Sequence, residues 1–344
     1  MASKLQERYP WTQSPLIING PMGGFAGPEL AASVTNAGGL GFIAGGYSLS
    51  QLPGQLSKFR SLATKDGGAV LPVGIGFLCF GCSADEAATV VREYKPAIAW
   101  LFCPNQLSDY ATWAQHLRDA SPETAIWVQT GSVTAALEIA RTVRPEVLVM
   151  QGLDAGGHGF EKGAGIISLL PEAADALQEA GFGDIPLVAA GGIADSRGAA
   201  AALALGAAGV VMGTRFLASN EVEHPGYRAA ILGAQDGGQA TARSKIFDEV
   251  REEGNNWPVL YDGRGLVNKS YADFAAGKPI EDIRKLHSEA LKGKDAGFGE
   301  VEKRVTVWAG TGVGLVREVL PAGKIVEETR NGARRILGNL QSQL

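Results

Sequence analysis

The 344-residue sequence predicts an α/β fold, a (β/α)8 TIM barrel with a helical C-terminal extension. Eight short apolar runs alternate with segments of helical periodicity, as expected of parallel strands that are buried on both faces. The residues that end these runs are nearly all glycine. A doubly wound open sheet is the alternative, but the first run leads into GPMGGFAG, which lacks the G-x-G-x-x-G spacing of a dinucleotide-binding fold.

The predicted strands are, in chain order, LIINGPM (16–22), GLGFIAGG (39–46), AVLPVGIGF (69–77), AIAWLF (97–102), AIWVQTG (125–131), EVLVMQG (146–152), PLVAAGG (186–192) and GVVMGTRF (209–216). Between them lie predicted helices such as PELAASVTNAG, SADEAATVVREY, SVTAALEIARTV and DSRGAAAALALG. Several begin with Ser, Asp or Pro, which favour a first helical turn, and some end at Gly. We assign residues 14–217 to the barrel.

Residues 218–344 are more charged and depart from this alternation. KPIEDIRKLHSEALKG predicts a helix, and VWAGTGVGLV (307–316) predicts a turn before the final helix. We expect an extension of helices and loops that packs on the barrel as a partial lid, with the last helices closing it, rather than an independent domain.

Composition and charge exclude several classes of partner. The 31 basic and 36 acidic residues give a formal net charge of −5 without a long basic run, so neither nucleic acid nor an anionic membrane is expected. The sequence lacks a signal-peptide core and a membrane-spanning apolar stretch. Cys79, Cys82 and Cys103 form a sparse set typical of a reducing compartment, which predicts a cytoplasmic protein. We interpret the C-x-x-C of Cys79 and Cys82 as structural, and we expect no bound metal.

The loops after predicted strands 7 and 8 indicate a phosphate site. The carboxyl ends of the strands form the active site in such barrels, and the last two loops frequently bind phosphate. Gly191, Gly192, Gly213 and Thr214 would supply backbone N–H groups and one hydroxyl. Tight turns between small residues are the alternative interpretation of each loop alone.

QGLDAGGHGF (151–160) places a histidine among glycines after predicted strand 6. The small neighbours Gly156, Gly157 and Gly159 would let His158 project over a ligand. An imidazole with an ordinary pKa of about 6.5 can take a proton from carbon near neutral pH. We therefore predict a catalytic or substrate-orienting role for His158. Asp154 is interpreted as a loop cap, and no role is assigned to the remaining histidines, His116, His224 and His287.

Gln129, at the end of predicted strand 5, could donate its amide hydrogen to a ligand carbonyl, and a buried, satisfied glutamine is an equal alternative. No lysine lies at a strand end. Candidates for an apolar pocket wall are Met22, Phe25, Phe77, Phe80 and Phe102, each of which could instead be ordinary core.

From about residue 14 to the end, the motifs LIINGPMGG, SVTNAGGLG, QGLDAGGHG, LVAAGGIAD and GAAGVVMGTRF resemble the nitronate monooxygenase family, formerly called 2-nitropropane dioxygenases. VNKSY and WAGTGVGLV resemble its fungal-type branch. The resemblance implies FMN-dependent oxidation of alkyl nitronates by O2 to a carbonyl compound and nitrite, with neutral nitroalkanes as candidate substrates. A homodimer is a candidate assembly. The alternative is an NAD(P)H-dependent quinone or enoyl reductase of the same FMN barrel superfamily.

The resemblance also implies roles for individual residues. It places the flavin ring beside Met22 and Gly23 and in contact with Gln151, and its catalytic histidine falls on His158. The cofactor-binding residues on the phosphate and ribityl side are Gly156, Gly157, Gly191, Gly192, Met212, Gly213 and Thr214. Two strand ends depart from the family: Gly76, also assigned to the cofactor, stands where many relatives carry Asn, and NGPM stands where Gln-Ala-Pro-Met is common.

Overall fold

The computed structural model describes residues 2–299 and 303–343. Eight parallel strands form one sheet in the order β1-β9-β8-β6-β5-β4-β3-β2, a nearly closed barrel that confirms the predicted TIM-barrel fold. The strands up to β9 are β1 (Ile17–Asn19), β2 (Phe42–Ala44), β3 (Leu71–Leu78), β4 (Pro96–Phe102), β5 (Ala125–Thr130), β6 (Val147–Gln151), β7 (Gly157–Phe160), β8 (Leu187–Ala190) and β9 (Gly209–Met212). Strand β7 lies outside the barrel.

The helices around the barrel begin where local sequence satisfies their first N–H groups. Ser83 and Glu86 form a reciprocal capping box on the fourth helix, and Asp195 accepts the N–H groups of Arg197 and Gly198. The helices of this half are α1 (Ala2–Arg8), α2 (Pro28–Asn36), α3 (Leu52–Leu62), α4 (Ala84–Tyr94), α5 (Asp109–Ala120), α6 (Val133–Thr142), α7 (Ile166–Glu179), α8 (Ser196–Ala204) and α9 (Thr214–Leu217), with a 3₁₀ turn at Leu49–Gln51.

The C-terminal part adds six helices and two strands among the described residues. They are α10 (Pro225–Gly233), α11 (Gly237–Ala240), β10 (Thr241–Ser244), α12 (Ile246–Glu249), β11 (Tyr261–Leu266), α13 (Lys269–Ala275), α14 (Ile280–Lys292) and α15 (Ala322–Gln341), with a 3₁₀ helix at Thr311–Leu315. The helix predicted in KPIEDIRKLHSEALKG is α14, whereas the predicted turn in VWAGTGVGLV contains the 3₁₀ helix.

The seam between β1 and β2 is the incomplete part of the barrel. A single backbone bridge, between Ile18 and Leu40, is described there. The side chain of Asn19 supplies two further bonds, since its Nδ2 donates to the carbonyl of Phe42 and its Oδ1 accepts the N–H of Phe42, each at 2.9 Å. Asn19 is fully buried. The asparagine of NGPM is therefore a structural residue that joins the first and second strands.

Large side chains fill the inside of the barrel, and the N-terminal segment closes its amino end. Tyr9 and Trp11, which follow α1, pack with residues at the starts of the strands. The indole N–H of Trp127 donates to the Tyr9 hydroxyl at 3.0 Å. Because the described residues pack the centre in this way, the space for a ligand lies at the opposite, carboxyl end of the strands.

Helix α15 completes the outer layer of helices. Strand β9 is followed only by the four-residue α9, and α15 packs between α8 and α2. Arg330 of α15 is 2% exposed and donates hydrogen bonds to the carbonyls of Ala37 (2.9 Å) and Gly38 (2.7 Å). It also reaches the carbonyl of Pro15 at 3.3 Å. This guanidinium therefore ties the C-terminal helix to the start of the barrel.

Replacing Arg330 with Met should lower the free energy of unfolding by about 2 kcal/mol. The half-buried carbonyl of Ala37 loses its donor and the carbonyl of Gly38 keeps only the N–H of Gln13, while most of the packing volume remains. Urea denaturation followed by far-ultraviolet circular dichroism measures the change. Arg335→Met is the matched control, since Arg335 is exposed on the same helix. Equal midpoints for the two variants would show that the buried bonds contribute nothing to stability.

A second, three-stranded antiparallel sheet lies over the barrel mouth, in the order β10-β11-β7. His158 of β7 stands opposite Gly263 of β11. The glycine-rich loop expected at 157–160 is strand β7, and the extension expected to consist of helices and loops also contains β10 and β11. GHGF has little strand propensity of its own, and its pairing partner lies about a hundred residues further along, so tertiary contacts decide its conformation.

Candidate active site

A cavity of about 450 Å³ opens at the carboxyl ends of the barrel strands. Its volume falls in the lower part of the roughly 300–1,000 Å³ range of ligand pockets. Twelve of the thirteen residues predicted for the site line it: Met22, Gly23, Gly76, Gln129, Gln151, Gly156, Gly157, His158, Gly191, Gly192, Gly213 and Thr214. The barrel strands therefore bring together nearly the whole set.

Met212 is the exception. Its side chain is fully buried in the layer between the barrel strands and the outer helices. Its carbonyl accepts a hydrogen bond from the N–H of Gly20 at 3.0 Å. The side chain assigned to the cofactor therefore does not reach the cavity wall, because adjacent residues of a strand point to opposite faces.

The loops after β8 and β9 form a cradle of unpaired N–H groups. Gly191 and Gly192 have φ angles of 107° and 73°, a left-handed turn that favours glycine. Among the described residues, no hydrogen bond uses the N–H of Gly191, Gly192 or Gly213 as a donor. Backbone N–H groups that line one cavity without a protein partner suit an anion.

The C-terminal extension packs directly on this cradle. The Oγ1 atom of Thr214 accepts the N–H of Gly310 at 3.0 Å. A Cβ atom on Gly156 would overlap the backbone at Gly310, so the two segments approach at a distance that only glycine allows. The Oδ1 atom of Asp154 accepts the hydroxyl of Thr311 at 2.9 Å, and its backbone carbonyl accepts the N–H of Thr311 at 3.0 Å. Asp154 was predicted to cap its own loop, but its side chain instead contacts the segment before α15.

Two glutamines lie on the cavity wall, and their side-chain amides differ in the hydrogen bonds that they already make. The Oε1 atom of Gln129 accepts the indole N–H of Trp100 at 3.2 Å, and its Nε2 has no partner among the described residues. Gln151 donates its amide to the carbonyl of His158 at 3.2 Å. Gln129 therefore retains a donor for a ligand, whereas Gln151 supports the strand that carries His158.

The side chain of His158 is buried on this wall and is surrounded by Asp248, Trp257 and Trp308. Its Nε2 lies 2.8 Å from Oδ2 of Asp248, with side-chain exposures of 9% and 2%. Its ring stacks on Trp257 at a centroid distance of 3.4 Å and an interplanar angle of 6°. Trp308 contacts it from another side at 4.5 Å. Hydrogen bond and stacking together fix both the position and the plane of the imidazole.

The surroundings of His158 favour its neutral form. Burial lowers its pKa below the ordinary value of 6.5, and the hydrogen bond and charge of Asp248 offset this only in part. Arg251 and Arg243 lower the pKa further. The lowered pKa favours the neutral imidazole, which is the form that can accept a proton.

Arg251 is the one permanently cationic side chain on the wall, among the residues that the structure describes, and the described wall carries no carboxylate. Its guanidinium lies 3.5 Å from Oδ1 of Asp248 and 6.0 Å from the ring centre of Trp308. A positively charged group in a wall without carboxylates favours anionic ligands.

The apolar wall differs in part from the prediction. Met22, Phe25 and Phe102 line the cavity. Phe77 instead packs against Trp113 in the outer core, and Phe80 packs against Tyr47 and Trp257. Sequence reasoning missed the aromatic residues Tyr47, Trp100, Tyr227, Trp257 and Trp308, all on the wall.

The other residues that the sequence singled out lie elsewhere. His116 lies 3.7 Å from Asp85, His224 accepts the N–H of Tyr227, and Nδ1 of His287 lies 3.1 Å from the carbonyl of Arg304. Cys79, Cys82 and Cys103 are free thiols, and burial raises the pKa of Cys82 to about 11. Among the described residues, no helix is both long and apolar enough to cross a bilayer.

The fold and the cavity define a class of protein, a (β/α)8 barrel with an anion cradle and an apolar mouth at the carboxyl ends of its strands. The family model for nitronate monooxygenase matches residues 10–75 and 114–331. The chain is 42% identical to nitronate monooxygenase npaC of Metarhizium robertsii, over 99% of this chain and 97% of that one. It is 35% identical to a nitronate monooxygenase of Neurospora crassa, over 99% and 94%. The chain therefore belongs to the nitronate monooxygenase family of flavin-dependent oxidoreductases.

Solved structures agree with this fold. FabK from Thermotoga maritima superimposes with a TM-score of 0.78 at 24% identity, over 99% of both chains. Nitroalkane oxidase from Streptomyces ansochromogenes gives 0.74 at 24% identity, over 98% of this chain and 99% of that one. At this identity, the likeness concerns the architecture alone.

Proposed function

We propose that this chain carries out the nitronate monooxygenase reaction with FMN, converting an alkyl nitronate and O2 to a carbonyl compound and nitrite. The observation that carries the proposal is one cavity in which the buried His158 faces the same space as an anion cradle of unpaired N–H groups. The histidine suits proton chemistry, and the cradle suits a monophosphate.

The residues present fit FMN. The N–H groups of Gly191, Gly192 and Gly213 would hold the phosphate, with the Thr214 hydroxyl beside them, and Gly156 and Gly157 on the ribityl side. Gln129 would donate to a carbonyl of the flavin ring, with Met22, Gly23 and Gln151 around it. When bound, FMN would supply the redox chemistry, accepting electrons from the nitronate and delivering them to O2.

Packing restricts two of the proposed cofactor contacts, those of Gly76 and Met212, to backbone atoms. A Cβ atom on Gly76 would overlap Pro21, so this chain can offer only backbone where many relatives offer an asparagine side chain. Met212 would act only through its backbone, because its side chain is turned into the outer core.

His158 and Arg251 would act on the substrate. A neutral nitroalkane must lose a proton from carbon to become a nitronate. In that step the C–H bond breaks, the proton passes to the imidazole of His158, and the electron pair stays on the nitronate. Arg251 would favour the resulting anion through its positive charge, although solvent screens this attraction because the side chain is 39% exposed.

Anaerobic mixing tests this function against the NAD(P)H-dependent alternative. Ethyl nitronate should remove the visible absorbance of the bound flavin, whereas NADH and NADPH should leave most of it. A diode-array stopped-flow instrument measures all three on the same preparation, with buffer alone as the control. Loss of absorbance with NADH or NADPH, and none with the nitronate, would replace the proposal by a reductase.

A further inference from the structure

Asp248 is a buried carboxylate that the proposed function does not use. It lies on α12, ninety positions from His158, and is 1% exposed. Its neighbours Ile246 and Phe247 are buried in a small core with Ile283. The carbonyl of Phe247 also accepts a hydrogen bond from the hydroxyl of Thr306 at 3.2 Å. The carboxylate is therefore held rigidly beside the imidazole.

The chemistry of this contact determines which ring nitrogen carries the proton. An ionised carboxylate can only accept hydrogen bonds. The 2.8 Å contact between Asp248 Oδ2 and His158 Nε2 therefore requires a proton on Nε2. In a neutral imidazole, Nδ1 then carries the free lone pair. The stack on Trp257 keeps the ring from turning to exchange the two nitrogens.

We propose that Asp248 is the positioning residue of the site: it holds His158 as the Nε2–H tautomer in one orientation and leaves Nδ1 as the basic nitrogen. This inference rests on the proposed role of His158 as a base. In the proton transfer, the substrate C–H bond breaks and the proton passes to Nδ1. The imidazolium formed keeps its Nε2–H bond to the Asp248 carboxylate, whose negative charge stabilises it.

The charged groups that face His158 come from strand β10, helix α12 and the turn that follows α12. Asp248 lies on α12, Arg251 follows that helix, and Arg243 lies on β10, where its Nε donates to Oδ1 of Asp262 at 2.9 Å. Asp248 raises the pKa of His158, and both arginines lower it. Removing the charge of Asp248 must therefore move this pKa further down.

Nitrogen NMR on the native protein tests the tautomer without any substitution. The flavin-loaded protein is labelled with ¹⁵N-histidine, and the His158 signals are assigned by their disappearance in His158→Asn. We expect a protonated Nε2 and an unprotonated Nδ1 whose shift changes as the pH is lowered through the His158 pKa. A protonated Nδ1 with a bare Nε2 at neutral pH would overturn the proposal.

Asp248→Asn then tests the consequence for the reaction, with Glu249→Gln as the control. Both changes remove one negative charge from α12, and no side-chain ion pair or hydrogen bond of Glu249 is found in the described part of the chain. Asp248→Asn should lower kcat/KM for nitroethane about tenfold, as a weakened base loses part of a 10²–10⁴-fold effect, and should change that for ethyl nitronate little. The midpoint of the nitroethane pH profile and the NMR titration of His158 should both move to lower pH, whereas Glu249→Gln should match the native protein.

The outcomes separate the two proposals. An unchanged midpoint in Asp248→Asn, or equal losses on both substrates at every pH, would overturn the role of Asp248, because a purely structural residue does not shift a titration. Full activity of His158→Asn on nitroethane would instead overturn the proposed role of His158 as the base. That result would hold for either tautomer of the imidazole. If Asp248→Asn does not fold, the tautomer measured in the native protein decides the inference.

Discussion

Replacing His158 with Asn will abolish turnover of a neutral nitroalkane and leave much of the activity on the corresponding nitronate. The neutral substrate needs a base to remove its proton, whereas the nitronate arrives already deprotonated. General-base catalysis typically contributes about 10²–10⁴-fold, so the two substrates should separate clearly. Steady-state oxygen consumption with nitroethane and with ethyl nitronate, at equal flavin content, measures the difference.

The pH profile of the native protein is a second test of His158 as a base. His158 acts as a base only when it is unprotonated, so kcat/KM for the neutral nitroalkane should rise with pH through its pKa. Because burial lowers that pKa, the midpoint should fall below 6.5. Equal losses on both substrates in His158→Asn would remove the base and leave an orienting role. Full activity on both would remove His158 from the mechanism.

The second large effect concerns the cofactor. The purified protein should be yellow and should release FMN on denaturation, and Gly213→Asp should weaken FMN binding by about 3 kcal/mol, or roughly 10²-fold in Kd. The reason is electrostatic, since the new carboxylate would face the proposed phosphate site. Fluorescence titration of the apoprotein with FMN measures the affinity, and chromatography of the released flavin identifies it.

Position 213 allows a clean control for this prediction. A Cβ atom there meets only Met22 Sδ, at 3.7 Å, which is ordinary van der Waals contact. Gly213→Asn has nearly the shape of the aspartate variant without its charge, so it should retain most of the affinity. Gly191 and Gly192 are less suitable, because their positive φ angles make any substitution strained. Recovery of FAD, or equal weakening by Asn and Asp, would contradict the phosphate assignment.

Part of the site could be predicted because it depends on residues that are neighbours in the sequence. A parallel barrel buried on both faces produces continuous apolar runs, and its mouth lies where those runs end. The glycines at 191, 192 and 213 are recognisable by that position alone. His158 is recognisable for the same reason, since a polar residue after a buried strand lies at the mouth.

The side-chain directions within the strands could not be predicted in the same way. A strand that is buried on both faces shows no alternation of polar and apolar residues, so the sequence does not tell which residues face inward. Phe77 and Met212 face the helices, and their neighbours Gly76 and Gly213 face the cavity. A one-residue ambiguity in register moves a side chain to the other face, which explains both errors.

By itself, the sequence determined the barrel, the position of its mouth, the glycine cradle and the histidine beside it, because each depends on the order and polarity of nearby residues. Only the tertiary structure decided what surrounds that histidine. Asp248 is one of several acids in FDEVREEG, and nothing in that segment distinguishes it. Its role comes from a strand pairing between β7 and β11 that joins positions about a hundred residues apart. Such a contact is set by the packing of the whole chain, which brings α12 and its carboxylate to His158.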